Sequence, residues 1–258
     1  NSNFFGTNAG QGATGATGSN FFGNLAGQYA INANNSNFLG REAGYNATGA
    51  NLSNFIGFNA GRDATDASVA NFLGNNAGYQ ATNAIYSNFF GGSAGRNATD
   101  ANNANFFGQF AGFGATGASN SNFFGTSAGQ GATNAIGSNF FGNLAGSGAT
   151  GANNSNFFGR EAGNQATDAS YSNLFGFNVG DAVGLGSIGS NNIIIGTNIS
   201  LASGSTNRIN LGGVLFGTGT YSTTTGNPSI VAQSTGRIGI NVVSPATNLH
   251  VVGNTIIT

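Results

Sequence analysis

Apolar residues return along this chain at a spacing that matches neither an amphipathic helix nor a simple alternating strand. The tetrad Asn-Phe-φ-Gly, with φ being Phe, Leu or Ile, begins at Asn3, Asn20, Asn37, Asn54, Asn71, Asn88, Asn105, Asn122, Asn139 and Asn156. An eleventh copy begins at Asn173, with Leu174 replacing the first Phe. Every interval is 17 residues, without insertion or deletion, and each copy reads S-N-F-φ-G-x-x-A-G-x-x-A-T-x-A-x-x. Residues 2 onward also match residues 121 onward, an offset of 119 residues or seven repeats, so the array grew by duplication. A fixed internal period of this kind predicts stacked structural repeats.

Seventeen residues cannot hold a helical hairpin, and no helical apolar stripe is present. The unit fits one coil of a β-solenoid, with Ser-Asn-Phe-φ as a first short strand and Ala-Thr-x-Ala as a second. Gly at the fifth and ninth positions supplies tight corners, because it tolerates positive φ. Unbroken spacing is required, since one inserted residue would move side chains to the wrong face. The predicted fold is all-β: residues 1–180 form a β-roll array of eleven coils, and residues 181–258 a β-rich stalk. Eleven coils at roughly 4.8 Å each give a rod of about 50 Å. Its interior must be thin, because Ala recurs at positions eight, twelve and fifteen (Ala43, Ala47 and Ala50 in the third copy). Thr at position thirteen forms a column from Thr14 to Thr167, broken by Ile31. Asn at position two stacks into an amide ladder, a way of satisfying inward polar groups.

The two apolar residues of each tetrad are neighbours, and neighbours in a strand point to opposite faces. One column therefore fills the coil and the other leaves it. Eleven such side chains left in water would forgo on the order of 15–30 kcal/mol as an upper estimate, and soluble monomers avoid so long an apolar stripe. Association along the rod axis removes the stripe, and a homotrimer is the simplest closed form. The first aromatic is nearly uniform between copies, which nominates Phe4, Phe21, Phe38, Phe55, Phe72, Phe89, Phe106, Phe123, Phe140 and Phe157 as the inter-chain column. The second position varies among Phe, Leu and Ile and is assigned to the coil interior.

Composition narrows the function. Six Arg, no Lys and seven Asp or Glu make a net charge of -1 over 258 residues, which supplies no field for nucleic acid or anionic lipid. The 23 Phe exclude a disordered low-complexity chain. With no Cys there are no disulfides, thiolate metal sites or Cys nucleophiles. No apolar run of about 18 residues predicts membrane insertion. The chain opens inside a repeat and ends at Thr258, and is read as a piece or processed product of something longer.

After Gly180 the register fades into Gly-spaced β runs: Asn192 to Gly196, Arg208 to Gly217, Gly236 to Pro245, and Leu249 to Asn254. The stretches RINLGGVLFGTG and RIGINVVSPATNLHVVGN resemble the stalk that precedes the chaperone-of-endosialidase domain in phage tail fibres and related adhesins. Asn241-Val242-Val243 departs from the Gly-Thr-Thr usual there. The array is similar to the NTFIGxxAG repeats upstream in such proteins and, more distantly, to the head β-roll of trimeric autotransporters. The resemblance implies a homotrimeric, extracellular fibre on a virion or bacterial surface, with a glycan or protein receptor and a chaperone domain beyond Thr258.

Catalytic, cofactor and metal sites are not expected. Gly184-Leu185-Gly186-Ser187-Ile188-Gly189 matches G-x-G-x-x-G, but SNNIIIG follows instead of a helix, and no acid occurs after Asp181. His250 lies in a strand without an acidic neighbour in sequence. Carboxylate pairs for glycoside cleavage would come from Asp63 with Asp66, or across coils. Yet the Asp66, Asp100 and Asp168 column is Gly or Asn in most copies. Arg62 and Arg96 precede Asp66 and Asp100 by four residues and are expected to form surface ion pairs, as are Arg41-Glu42 and Arg160-Glu161. Tyr29, Tyr45, Tyr79, Phe110 and Phe113 fall at variable corners, either as glycan-stacking rings or as ordinary exposed turns. The leading expectation is a non-catalytic fibre segment for attachment. A bacterial trimeric surface adhesin head, an ice-binding solenoid, from the Thr column, and a tail-spike polysaccharide depolymerase are the alternatives.

Overall fold

Each Asn-Phe-φ triplet is extended, and successive triplets lie parallel and in register. A computed structural model describes residues 1–180, 187–219 and 236–253. Strands β1 (Asn3–Phe5) to β11 (Asn173–Phe175) follow at 17-residue steps, each pairing with the next so that Asn faces Asn and the first aromatic faces its successor, Leu174 in β11. The array is a β-solenoid with 17-residue coils, and no helix occurs among the described residues. Ring centroids of consecutive inner Phe residues lie 4.7–4.8 Å apart, the spacing of hydrogen-bonded strands.

The fourth coil shows how a 17-residue loop closes on itself. After Ile56, three overlapping turns are held by hydrogen bonds from Ala60 N to Gly57 O, Arg62 N to Asn59 O and Ala64 N to Gly61 O, at 3.1–3.3 Å. Gly57, Asn59, Gly61 and Asp63 all have positive φ, as do Asp66 and Val69 at the two later corners. Most remaining backbone groups bond along the rod axis. Asn54, Gly61 and Thr65 donate to the coil ahead, while Gly57, Asn59, Asp63, Asp66 and Val69 donate to the coil behind. Buried backbone groups are thereby paired without a long strand anywhere.

Two of the glycines are required for different reasons. A Cβ on the position-five glycine Gly91 would lie 2.6 Å from the carbonyl oxygen of Gly108 in the next coil. At position nine the obstacle is a ring, since a Cβ on Gly95 would lie 2.2 Å from Phe89. The expected second strand is reduced to single-residue bridges that run from Thr14 through Ile31 to Thr167. The left-handed residue immediately after each Thr, such as Asp66 after Thr65, ends the extended stretch.

The core contains one Phe and three Ala per coil. Phe21, Phe38, Phe55, Phe72, Phe89, Phe106, Phe123, Phe140 and Phe157 are fully buried within the single chain, stacked on one another with the rings 3–7° from parallel. This corrects the sequence assignment of the first aromatic to an inter-chain column; Phe4, 41% exposed in the terminal coil, stacks on Phe21 at 4.8 Å and lies against Gly10 as its buried successors lie against theirs. The inner slot holds one large side chain against the bare Cα of position nine, a Phe in every coil but the last, where Leu174 fills it fully buried. The outer position has no such wall. Residues of varying size (Phe, Leu and Ile) are found there because nothing in the same chain packs over them.

A second closure was not anticipated. The position-one serines from Ser19 to Ser172 are fully buried, and from Ser19 to Ser155 each hydroxyl donates to the carbonyl of position fifteen in its own coil, for example Ser121 to Ala135 at 2.5 Å. The same oxygen accepts the backbone N–H of position one in the next coil, as Ser121 does from Ser138 at 3.1 Å. Where position one is Ala, at Ala70 and Ala104, the N–H still bonds back to the serine below.

Beyond the array the sheet continues with changed spacing. Strand β12 (Ile193–Ile195) pairs parallel with β11, Asn173 facing Ile193, and β13 (Arg208–Leu211) pairs parallel with β12. Strands β14 (Leu215–Thr218) and β15 (Arg237–Ile240) are antiparallel additions, and β16 (Leu249–Val251) lies parallel to β15. Pairing therefore runs unbroken through sixteen strands.

Replacing Phe106 with Ala should destabilise the chain by about 3–5 kcal/mol. The same change at Phe107 should cost about 1 kcal/mol or less in a dissociated chain. Chemical denaturation of both variants checks the inner and outer assignments. Gly91→Ala should cost at least about 2 kcal/mol, from its strained φ and from contact with the next coil's backbone, read as a lowered melting temperature.

Candidate interaction surfaces

The outer side of the strand sheet carries two columns. Asn at position two and the variable apolar residue at position four share this face, because the buried Phe lies between them. The amide ladder forms, with each Asn Nδ2 donating to Oδ1 of the next coil at 2.7–2.9 Å from Asn3 to Asn173. It lies half-buried on this outer face and not inside the coil, as the sequence reading had it. Beside it runs the apolar column. Phe90, Phe107, Phe124, Phe141, Phe158 and Phe175 form a continuous stack with centroids 4.7–5.2 Å apart. Ile56 is 39% exposed and Phe175 38%, while Leu73, Phe90, Phe107, Phe124, Phe141 and Phe158 between them are half-buried.

A second surface lies along the overlapping turns. Position ten of coils three to seven reads Tyr45, Arg62, Tyr79, Arg96 and Phe113. Stacking turns this alternation into a column in which each guanidinium lies between two rings. Arg62 is 4.9 Å from the Tyr45 centroid and 6.0 Å from that of Tyr79, while Arg96 is 5.1 Å from Tyr79 and 5.7 Å from Phe113. Such contacts contribute about 0.5–1 kcal/mol each at exposed sites. Tyr29 and Phe110 meet the column's ends edge-on, against Tyr45 and Phe113 at 6.0 Å. The structure thus gathers all five corner aromatics on one edge. The faces of Tyr45 and Tyr79 are turned toward arginine and not toward a ligand.

Charge on this edge is unevenly compensated. Glu42, only 7% exposed, pairs with Arg62 and with Arg41 Nε at 3.1 Å, and Asp63 lies 3.4 Å from Arg62 Nε. Arg160 pairs with Glu161 at 3.1 Å. Pairs of Arg62 with Asp66 and Arg96 with Asp100 do not form, because both guanidinium groups turn to the aromatic column. Sequence reasoning missed this stack. The signal was the alternation of aromatic and Arg at 17-residue steps.

The remaining candidates are dispersed. Position fourteen reads Gly15, Asn32, Gly49, Asp66, Asn83, Asp100, Gly117, Asn134, Gly151 and Asp168, and every one has positive φ. Gly, Asn and Asp are the residues that tolerate this conformation, so the backbone selects them. Asp66 and Asp100 are separated by Asn83, whose amide donates to Asp100 Oδ1 at 2.7 Å, and Asp168 lies four coils further. The Thr column is outward, half-buried or exposed throughout. Among the described residues no three His, Asp or Glu side chains cluster as a metal site, and no helix is long and apolar enough to cross a membrane. His250 is half-buried in β16 and accepts the Ala246 N–H at 3.3 Å through Nδ1. Asp181 and the first three residues of the G-x-G-x-x-G match, Gly184 to Gly186, lie outside the described residues.

Comparison with protein-family models and with curated proteins returns no match. Interpretation of these surfaces therefore rests on their geometry and on the resemblance of the sequence motifs.

Tyr79→Leu removes a ring shared by two arginines and should lower stability by about 1–2 kcal/mol, measured by urea denaturation. Tyr86→Leu, on a different edge and exposed, should be close to neutral.

Proposed function

We propose that this chain is a non-catalytic segment of an extracellular fibre, a phage tail fibre or bacterial adhesin shaft, that assembles as a homotrimer for attachment to a surface. The observation that carries the reading is the outer apolar column of the strand sheet. It presents one large apolar side chain per coil at the same rise of about 4.8 Å over eleven coils. A second copy offers the same side chains at the same rise, so two or three rods can match row for row. Partners without this period would match only one or two rungs. The half-buried Asn ladder alongside has its amides engaged within the chain, which lowers the cost of covering this face.

The low charge and the resemblance of RIGINVVSPATNLHVVGN to fibre stalks support the same class. A stiff rod held by axial hydrogen bonds suits the task of spanning distance between an anchor and a receptor. The interface belongs to Phe5, Phe22, Leu39, Ile56, Leu73 and Phe90 and their successors, not to the inner ring column.

One observation favours a second reading. Eight successive Thr residues from Thr48 to Thr167 face outward at one per coil, as an ice-binding surface requires. A single file beside Gly, Asn and Asp makes a narrow plane, and thermal hysteresis in a freezing assay would be its signature.

Sedimentation equilibrium of the purified chain should give three times the 25.6 kDa chain mass. Phe124→Ser with Phe141→Ser should yield a folded, dissociated chain with an unchanged far-ultraviolet spectrum. A wild-type chain that is monomeric at micromolar concentration would sink the fibre reading.

A further inference from the structure

We propose that Arg96 is a recognition site for the carboxylate of an acidic sugar, which gives the attachment reading a ligand class. The argument uses a comparison internal to the molecule. Moving two coils along the rod carries Arg62 onto Arg96, Tyr45 onto Tyr79 and Tyr79 onto Phe113. The guanidinium is held between two rings in both places. What differs is the charge around it. Glu42 is replaced by Asn76 and Asp63 by Asn97, so both carboxylates that neutralise Arg62 have neutral amides as their counterparts beside Arg96.

Among the described residues Arg96 makes no ion pair, whereas Arg62 has two; the buried Nε of each lacks a hydrogen-bond partner, so the difference between them lies in the missing carboxylates. A guanidinium that is fixed in orientation loses little freedom when a planar carboxylate docks on it, and the pair is a charge-assisted bond. Glu42 shows that a carboxylate can meet the guanidinium at this point of the edge, and beside Arg96 the corresponding Asn76 is shorter and its amide is turned to Asn59 and Asn75. Space is also available. The sixth position, filled by Phe58 in the coil of Arg62, is Gly92 in the coil of Arg96, and a Cβ there would touch only Gln109 Cγ at 3.9 Å.

The surroundings favour a sugar over an acidic peptide. Exposed Asn75 and Gln109 flank Gly92 on the coils before and after, and exposed Asn97 follows Arg96. Primary amides offer both donors and acceptors, which suits a ring of hydroxyl groups. An extended peptide would require a free sheet edge or apolar pockets for its side chains.

The test is binding of trigalacturonate to the immobilised full chain, with maltotriose and triglutamate as neutral and peptide controls. Wild type should bind trigalacturonate saturably, one per chain, and both controls at least tenfold more weakly. Asn76→Glu rebuilds the internal pair seen at Arg62 and should weaken trigalacturonate binding at least tenfold while leaving the melting temperature unchanged or raised. Arg96→Gln should abolish it. Equal binding by Asn76→Glu and wild type, equal binding of triglutamate and trigalacturonate, or no binding to wild type each overturns the proposal. A trimeric chain that does not bind refutes this site alone, and a monomeric chain that binds refutes the fibre reading alone.

Discussion

Hydrogen bonding along the rod axis is the constraint on which every other feature depends. Each coil donates and accepts through positions that recur at 17 residues, and consecutive coils must lie about 4.8 Å apart for these bonds to form. Inside the array an inserted residue would have to bulge out or shift the following side chains around the rod; the steps of 20 and 16 residues, Asn173 to Ile193 and Ile193 to Ile209, come only after the repeat has ended. The absence of insertions across eleven copies follows, as does the demand for a bare Cα where one coil's turn crosses the next. Six residues per coil with positive φ look extravagant for so short a loop, yet they are how a chain turns fully around a core one ring wide.

That narrow core separates the two aromatics of the tetrad. Interior packing is dense and intolerant of volume change, so the ring between three alanines is the nearly uniform one, Leu174 being the exception in the last coil. Outer residues pack only on their neighbours along the column and face no enclosing wall, so the adjacent position varies. Uniformity at a position thus reports a wall around it, and variability reports open space. The variable column is the one that carries the proposed contact between rods. Stacking also converts any side-chain choice into a column. Asn becomes a ladder, Thr a file, and an alternation of Tyr and Arg becomes a sandwich in which each cation is held by two ring faces.

The same register makes charge legible as a difference between coils. Repeats two apart share backbone geometry, so exchanging Glu42 and Asp63 for Asn76 and Asn97 changes electrostatics with little change of shape. Duplication of a coil followed by loss of its acids is a simple route from a self-neutralised edge to one that receives an external anion. A scaffold nearly free of charge makes such a local excess stand out, because few competing ions surround it.

The sequence alone determined the coil length, the parallel in-register stacking, the corner glycines and the thin alanine core, because a period without insertions admits only a stack. It also held, unread, the reason for the position-fourteen column, since Gly, Asn and Asp are the left-handed set. Tertiary structure decided which aromatic faces inward. Alternation in a strand establishes that the two neighbours diverge, but not which side the chain will wrap around. It also decided the serine seam and the partners of Arg62 and Arg96. Those contacts join atoms that are far apart within a coil or in different coils, and only the closed path of the backbone brings them together.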